Sequence, residues 1–215
     1  MYKVFLNTLY IIPNTYYILY PKSFKKLIDN FAALPSIGPK MAERLVLYLF
    51  KEDNQKLSDF AKSLEDFKKN LRHCKKCWNI SEEELCSICK DSSRDQATIC
   101  VVEDTLDVFA IEKTKKYNGL YHVLGGVLNP TKTVGSDNLH FKDLENRAEK
   151  EAIKEVILAM NPTTEGDATA LYITRNLKDK GIKITRLARG LATGADIEHA
   201  DELTLSSSLA NRREV

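Results

Sequence analysis

Two Cys-x-x-Cys pairs, Cys74-Lys-Lys-Cys77 and Cys86-Ser-Ile-Cys89, stand eight residues apart. Each pair can place two thiolates on one side of a tight turn. Two such turns facing each other form a tetrahedral four-sulfur cage, the geometry of structural Zn²⁺. All four ligand positions are then filled, with no place left for water or substrate. The spacing therefore predicts one structural, non-catalytic zinc on Cys74, Cys77, Cys86 and Cys89. A disulfide pairing would need an oxidising compartment, and nothing in the chain signals export. A redox Cys-x-x-Cys usually occurs once, near a βαβ pattern. His73 reads as a neighbour of the cage. Lys75 and Lys76 would offset the charge of four thiolates, and Trp78 reads as packing beside the knuckle. This small metal module joins whatever precedes it to whatever follows.

A chain of 215 residues has room for one large domain or two to three small ones. Its net charge of only +2 excludes a globally basic surface. Any nucleic-acid contact must be a local patch, or be assembled from several copies. The fifth cysteine, Cys100, lies in the apolar run Thr98 to Val102 and reads as a core residue. This usage of cysteine points to a reducing, cytoplasmic setting. Met1 to Tyr20 is too short and too polar to span a bilayer, and it lacks the continuous apolar run of a signal peptide.

Before the knuckle, Ser23 to Phe31 reads as a helix capped by Ser23, with Phe24, Leu27, Ile28 and Phe31 at helical spacing. Leu34-Pro-Ser-Ile-Gly-Pro-Lys40 is a short hairpin. Pro39 suits the first turn of a second helix, which runs to about Phe50 with Ala42, Leu45, Val46 and Leu49 on one face. In this helix-hairpin-helix pattern Gly38 lets the backbone approach a ligand, and the free N–H groups of the second helix suit a phosphate oxygen. Lys40 and Arg44, one turn apart, add charge on the same side. Such contacts grip a sugar-phosphate backbone without reading sequence. A plain helical hairpin with solvated Lys40 and Arg44 fits the same residues. Gln55 to Arg72 is a longer helix with the apolar stripe Leu57, Phe60, Ala61, Leu64, Phe67 and Leu71.

After the knuckle the pattern alternates. Strands are expected at Ala97–Val102, Leu120–Leu124, Glu155–Met160 and Ile182–Leu187. Helices are expected at Thr105–Lys115, Leu139–Lys150 and Gly166–Lys178, the last with Ala168, Leu171, Tyr172 and Leu177 inward. Such alternation predicts a mostly parallel α/β sheet, whose ligands bind at the carboxyl ends of strands. Those ends carry Glu103, Asp104, Asn161, Glu165 and the loop Ala188 to Gly194. The stretch from Asp196 to Val215 reads as a strand plus a tail, with Glu198, Asp201 and Glu202 as acids that can meet a basic partner. The fold class is thus multi-module α/β: N-terminal helix-hairpin-helix, C4 zinc knuckle, mostly parallel α/β domain and C-terminal segment.

Leu34-Pro-Ser-Ile-Gly-Pro-Lys-Met-Ala-Glu-Arg-Leu45, the four cysteines, Tyr121-His-Val-Leu-Gly-Gly126, Asn161-Pro-Thr-Thr-Glu-Gly166 and Ala188-Arg-Gly190 resemble the RecR family of bacterial recombination mediators. The resemblance spans nearly the whole chain. It implies a helix-hairpin-helix DNA-binding domain at 20–73, a C4 zinc finger at 74–89, a Toprim domain at 97–192 and a C-terminal segment at 193–215. Residues 1–19 form an extension. RecR-like chains usually begin near Tyr20, and Leu19 stands where an initiator Met is expected, which suggests a non-native segment before it. The resemblance also implies a non-enzymatic role. Ring-shaped homotetramers would bind single- and double-stranded DNA without sequence preference and act with RecO and RecF to load RecA on single-stranded DNA. Family DNA contacts fall on Lys40 and Arg44, beside Gly38. Ser36 stands where the family usually has Gly, and a serine does not hold a positive φ cheaply. A Toprim fold also raises a Mg²⁺-dependent enzyme acting on phosphodiesters, which needs a glutamate and a later Asp-x-Asp pair. Glu103 fits the first role, but Ala159-Met-Asn161-Pro has no acidic pair. Glu103 and Asp104 are therefore candidates for partner or divalent-metal contact, with Mg²⁺ left open. A third expectation is a zinc adaptor that never touches DNA.

Overall fold

The structure is a computed structural model that describes residues 20–129 and 139–214. The expected extension at 1–19 lies outside the described residues. The chain divides into two compact units, residues 1–69 and 70–215. Among the described residues no helix is long and apolar enough to cross a membrane.

The first unit contains helices α1 (Lys22–Ala32), α2 (Pro39–Lys51) and most of α3 (Asn54–Asn70). Ile28, Ala42 and Val46 form its small core, with Tyr20, Phe24, Phe31 and Ile37 packed around them. Ser23 does not cap α1. The helix begins a residue earlier, after Pro21, whose fixed φ leads into the first turn without a side-chain cap. The stripe on α3 is a real helical face, but it is not buried by this chain. Phe60, Leu64 and Phe67 are exposed, and no residue of α3 is buried.

The second unit opens with the knuckle. A two-residue antiparallel pair, β1 (Arg72–His73) and β2 (Ile80–Ser81), is followed by the short helix α4 (Ser87–Lys90). Then come β3 (Asp95–Val102), α5 (Thr105–Lys113), β4 (Gly119–Val123), α6 (Phe141–Lys150), β5 (Glu155–Ala159), α7 (Thr164–Leu177), β6 (Lys183–Arg186) and α8 (Glu202–Ala210). The four long strands are all parallel, in the order β4-β3-β5-β6. Near-continuous apolar strands follow from burial on both faces. Ile99, Val101, Leu120, Val156 and Leu158 point into one core with Phe141, Leu144, Ile173 and Leu177. Cys100, Val102, Tyr121 and Val123 join Val108 in the other.

Two expectations change. On α7 the buried face is Gly166, Thr169, Ala170, Ile173 and Leu177, while Leu171 and Tyr172 are exposed. Thr169 wins a core position because its hydroxyl donates to the Glu165 carbonyl and accepts from the Leu128 N–H, so its burial leaves no polar group unpaired. The C-terminal stretch is a helix, not a strand. Asp201 accepts from the Thr204 backbone N–H, an N-cap that starts α8.

Ser36 holds φ at +66° in the hairpin, a conformation that costs a non-glycine residue about 1–2 kcal/mol. Glycine there adds about 0.5–1 kcal/mol of unfolded-state entropy. Ser36→Gly is therefore expected to stabilise the helical unit by about 0.5 kcal/mol, seen as a higher urea midpoint for its helical signal. A lower midpoint would contradict the strain.

Candidate metal centre and nucleic-acid interface

The knuckle is built by local hydrogen bonds. The Cys74 N–H donates to the Asn79 carbonyl at 2.7 Å, and the Trp78 N–H closes the first turn onto the Cys74 carbonyl at 2.9 Å. Trp78 takes a positive φ of 65° to let the chain reverse. The second pair sits at the start of α4, where the Lys90 N–H reaches the Cys86 carbonyl at 3.1 Å. No disulfide joins any of the five cysteines. The ligand sulfurs of Cys74, Cys77, Cys86 and Cys89 all lie within 4.8 Å of one another. A tetrahedral zinc with bonds of about 2.3 Å asks for neighbouring sulfurs about 3.8 Å apart, so the cluster fits the ion. Hydrogen bonds from Cys77 push the Cys86 thiol far down, and the same contact pushes Cys77 up. Packed sulfurs cannot all be thiolates without a cation among them. The four cysteines hold one structural zinc.

Lys75 and Lys76 do not turn to the cage. Lys75 pairs with Glu84, and Lys76 reaches Glu151, the C-cap of α6, at 3.2 Å. Trp78 lies flat on His140, with ring centroids 3.5 Å apart and planes 8° from parallel. Its indole N–H donates to Asp143 at 2.9 Å. Burial holds the His140 imidazole below the usual histidine range, so the stack is between neutral rings. The His140 carbonyl accepts from Nε2–H of buried His122 at 2.8 Å. On the other side of His122, the Arg147 guanidinium donates to the Tyr121 carbonyl at 2.8 Å and to Glu151 at 3.3 Å. Burial, with the adjacent Arg147 charge, lowers His122 to about 3. The knuckle is thus bolted to α6 and β4 through Trp78, Lys76 and a buried Arg–His pair. His122 and His140 showed no partner pattern in the sequence, because their partners are backbone carbonyls and a ring 62 residues away.

In the helical unit, Gly38, Lys40 and Arg44 are all exposed at the start of α2. Gly38 is the N-cap with φ −80° and offers no side-chain cap. Its φ is ordinary, so glycine is not required for the turn itself. Open space surrounds the position a Cβ would take, which leaves the helix start accessible to an anion.

At the carboxyl ends of the strands the acids are already engaged. Both oxygens of Glu103 are taken by Asn161, one by its backbone N–H at 2.6 Å and one by its side-chain amide at 2.7 Å. Asp104 is the N-cap of α5, in a capping box with Asp107. Gly166 packs so closely on this loop that a Cβ would stand 2.2 Å from the Asn161 carbonyl oxygen. A cleft of about 640 Å³ beside them is lined by Asp107, Asn161, Arg186, Arg189 and Asp201. Both arginines pair with the same oxygen of Asp167, whose carboxyl they hold below the usual range, Arg189 most strongly. The cleft therefore holds one more guanidinium than Asp167 balances, with Asp107 and Asp201 also in its lining.

The chain matches four family descriptions in order: RecR, helix-hairpin-helix, over residues 24–68; RecR, four-cysteine zinc finger domain, over 71–91; Toprim domain, over 97–188; and RecR, C-terminal, over 190–213. Together with the parallel sheet and the four-sulfur cage, they define a helix-hairpin-helix and zinc-finger protein built on a Toprim domain. The chain belongs to the RecR family.

Removing zinc with a chelator, or Cys77→Ser, is expected to free the single tryptophan, Trp78, from His140. Its emission should shift toward that of indole in water, with several kcal/mol of stability lost because metal binding and folding are coupled. An unshifted spectrum in metal-free protein would contradict the docking.

Proposed function

We propose that the chain is a non-enzymatic DNA-binding clamp. Membership of the RecR family supports a role in recombinational DNA repair, and helix-hairpin-helix and Toprim domains suggest DNA binding. The observation that carries the reading is the start of α2. An uncapped helix N-terminus, open space at Gly38 and the exposed cations Lys40 and Arg44 converge there. Phosphate oxygens of single- or double-stranded DNA are the natural guests, and these groups carry no base readout. One such patch on a chain of net charge +2 is weak. Several copies converging on one strand gain by effective concentration. The exposed stripe Phe60, Leu64 and Phe67 supports self-association, and we assign the assembly as a homotetramer. RecO and RecF are the proposed partners, and loading of RecA on single-stranded DNA the proposed outcome.

The Toprim enzyme reading is disfavoured by Glu103. Its carboxylate is held by Asn161, which stands where a second acid would have to be. Divalent-metal phosphodiester chemistry needs acids free to hold the ion. Glu103 and Asp104 stay the candidates for contact with a basic partner or a divalent ion, although each already serves the chain internally.

Lys40→Glu with Arg44→Glu is expected to weaken DNA binding and to lower the salt slope on single strands by about 1.4, two phosphate contacts at about 0.7 each, with zinc content unchanged. Anisotropy titrations across salt check this. Unaltered affinity at moderate salt would remove these residues from the interface. Wild-type protein that ignores DNA even at low salt would favour an adaptor. Strand cleavage by the purified chain with Mg²⁺ would overturn the non-enzymatic reading.

A further inference from the structure

Each crossover helix of the second unit returns the chain to the amino ends of the strands, and that edge is rich in lysine. Lys115 and Lys116 precede β4, Lys154 precedes β5, and Lys183 opens β6. Lys178 follows the last residue of α7. The strand order β4-β3-β5-β6 spreads them over about 15 Å, at nearly 5 Å per strand. Backbone bonds fix the middle of the row: the Lys154 N–H donates to the Ala97 carbonyl at 2.8 Å, and the Lys183 N–H to the Lys154 carbonyl at 2.9 Å.

Acids are present but largely committed. Glu155 pairs with Lys183, Glu149 pairs with Lys180, and Asp95 accepts from the Ala97 N–H and the Thr98 hydroxyl. Lys115, Lys116, Lys154 and Lys178 are exposed and enter no ion pair within 4.0 Å among the described residues, although Lys154 acts electrostatically on Asp95 and Asp179 adjoins Lys178. The negative end of a helix dipole accounts for a lysine such as Lys178. It does not account for Lys154. Lys115 is held at φ +54°, just past a helix end, where glycine is the usual residue.

The opposite edge mixes Glu103, Asp104, Glu165 and Asp167 with Arg186 and Arg189, both paired with Asp167. The exposed large apolar side chains of this unit, among them Leu106, Phe109, Leu171 and Leu203, are not among the residues of the edge named above. A protein-binding patch would need such an anchor at its centre. A polyanion gripped by charge alone does not.

We propose that this lysine edge is a second nucleic-acid contact, which holds the phosphate backbone of a single strand without reading bases. The inference rests on the DNA-binding reading above and adds a surface on a different unit. The test uses the full zinc-loaded chain with Lys115, Lys116 and Lys154 changed together, to Glu in one variant and to Gln in a second. The probe is a fluorescent oligothymidine titrated across salt, beside a labelled polyglutamate peptide. Circular dichroism and zinc content report folding. The Glu variant should lose about tenfold in affinity, its salt slope should fall by about 2, three contacts at about 0.7 each, and the Gln variant should lie between it and wild type. If both variants bind the oligonucleotide with wild-type affinity and slope while Lys40→Glu/Arg44→Glu loses it, the edge is not a contact and the α2 site stands. If neither set changes binding, both proposals fall. Loss of polyglutamate binding alone would assign the edge to an acidic protein segment and overturn the proposal.

Discussion

Strand β4 is buried along its whole length, yet among the described residues it has a strand neighbour on one side only. An edge strand with open N–H and C=O groups invites pairing with other chains and must be covered. Here the cover is the zinc knuckle and α6. The Cys77 carbonyl accepts the Val123 N–H at 2.8 Å, and Arg147 donates to the Tyr121 carbonyl. That arrangement works only if the Cys74–Cys77 turn keeps its shape. The individual contacts across the seam, such as Trp78 to Asp143 or Lys76 to Glu151, contribute on the order of 1 kcal/mol each. Zinc bound to a four-cysteine site contributes on the order of 10 kcal/mol. The ion therefore sets the geometry, and the seam follows from it.

The consequence for function is a division of labour. The zinc cage is closed, with no reactive position, and among the described residues Glu103 and Asp104 are held by Asn161 and by the start of α5. What stays chemically open is charge: cations at the start of α2 and along the amino ends of the strands. On the proposed reading, these cations hold a polyanion and present it.

Much of this was legible in the sequence. The cysteine spacing gives the ligand set because a four-sulfur cage admits few spacings. The parallel sheet was readable because strands buried on both faces must be apolar throughout, as in Thr98 to Val102 and Val156 to Leu158. Boundaries moved by one or two residues, as helix and strand ends do. The misses have separate physical causes. Ser23 is a good cap residue, but Pro21 set the helix start before it. Leu171 and Tyr172 looked inward by type, yet helical phase and a satisfied hydroxyl gave the core to Thr169 and Ile173. The α8 helix was hidden because Ser206 to Ser208 lack an apolar period, and the signal that could have found it was Asp201 three residues before Thr204. The locks on Glu103 and on Trp78 are tertiary: Asn161 and His140 lie 58 and 62 residues away along the chain, beyond the reach of any local pattern.

Amide hydrogen exchange of the intact chain, with zinc and after chelation, tests the seam most directly. With zinc bound, the Val123 amide should exchange as slowly as the sheet core. Without zinc it should lose that protection while Val156 and Leu158 of β5 keep theirs. Protection of Val123 that is indifferent to the metal, or absent even when zinc is bound, would contradict a sheet edge closed by the cage.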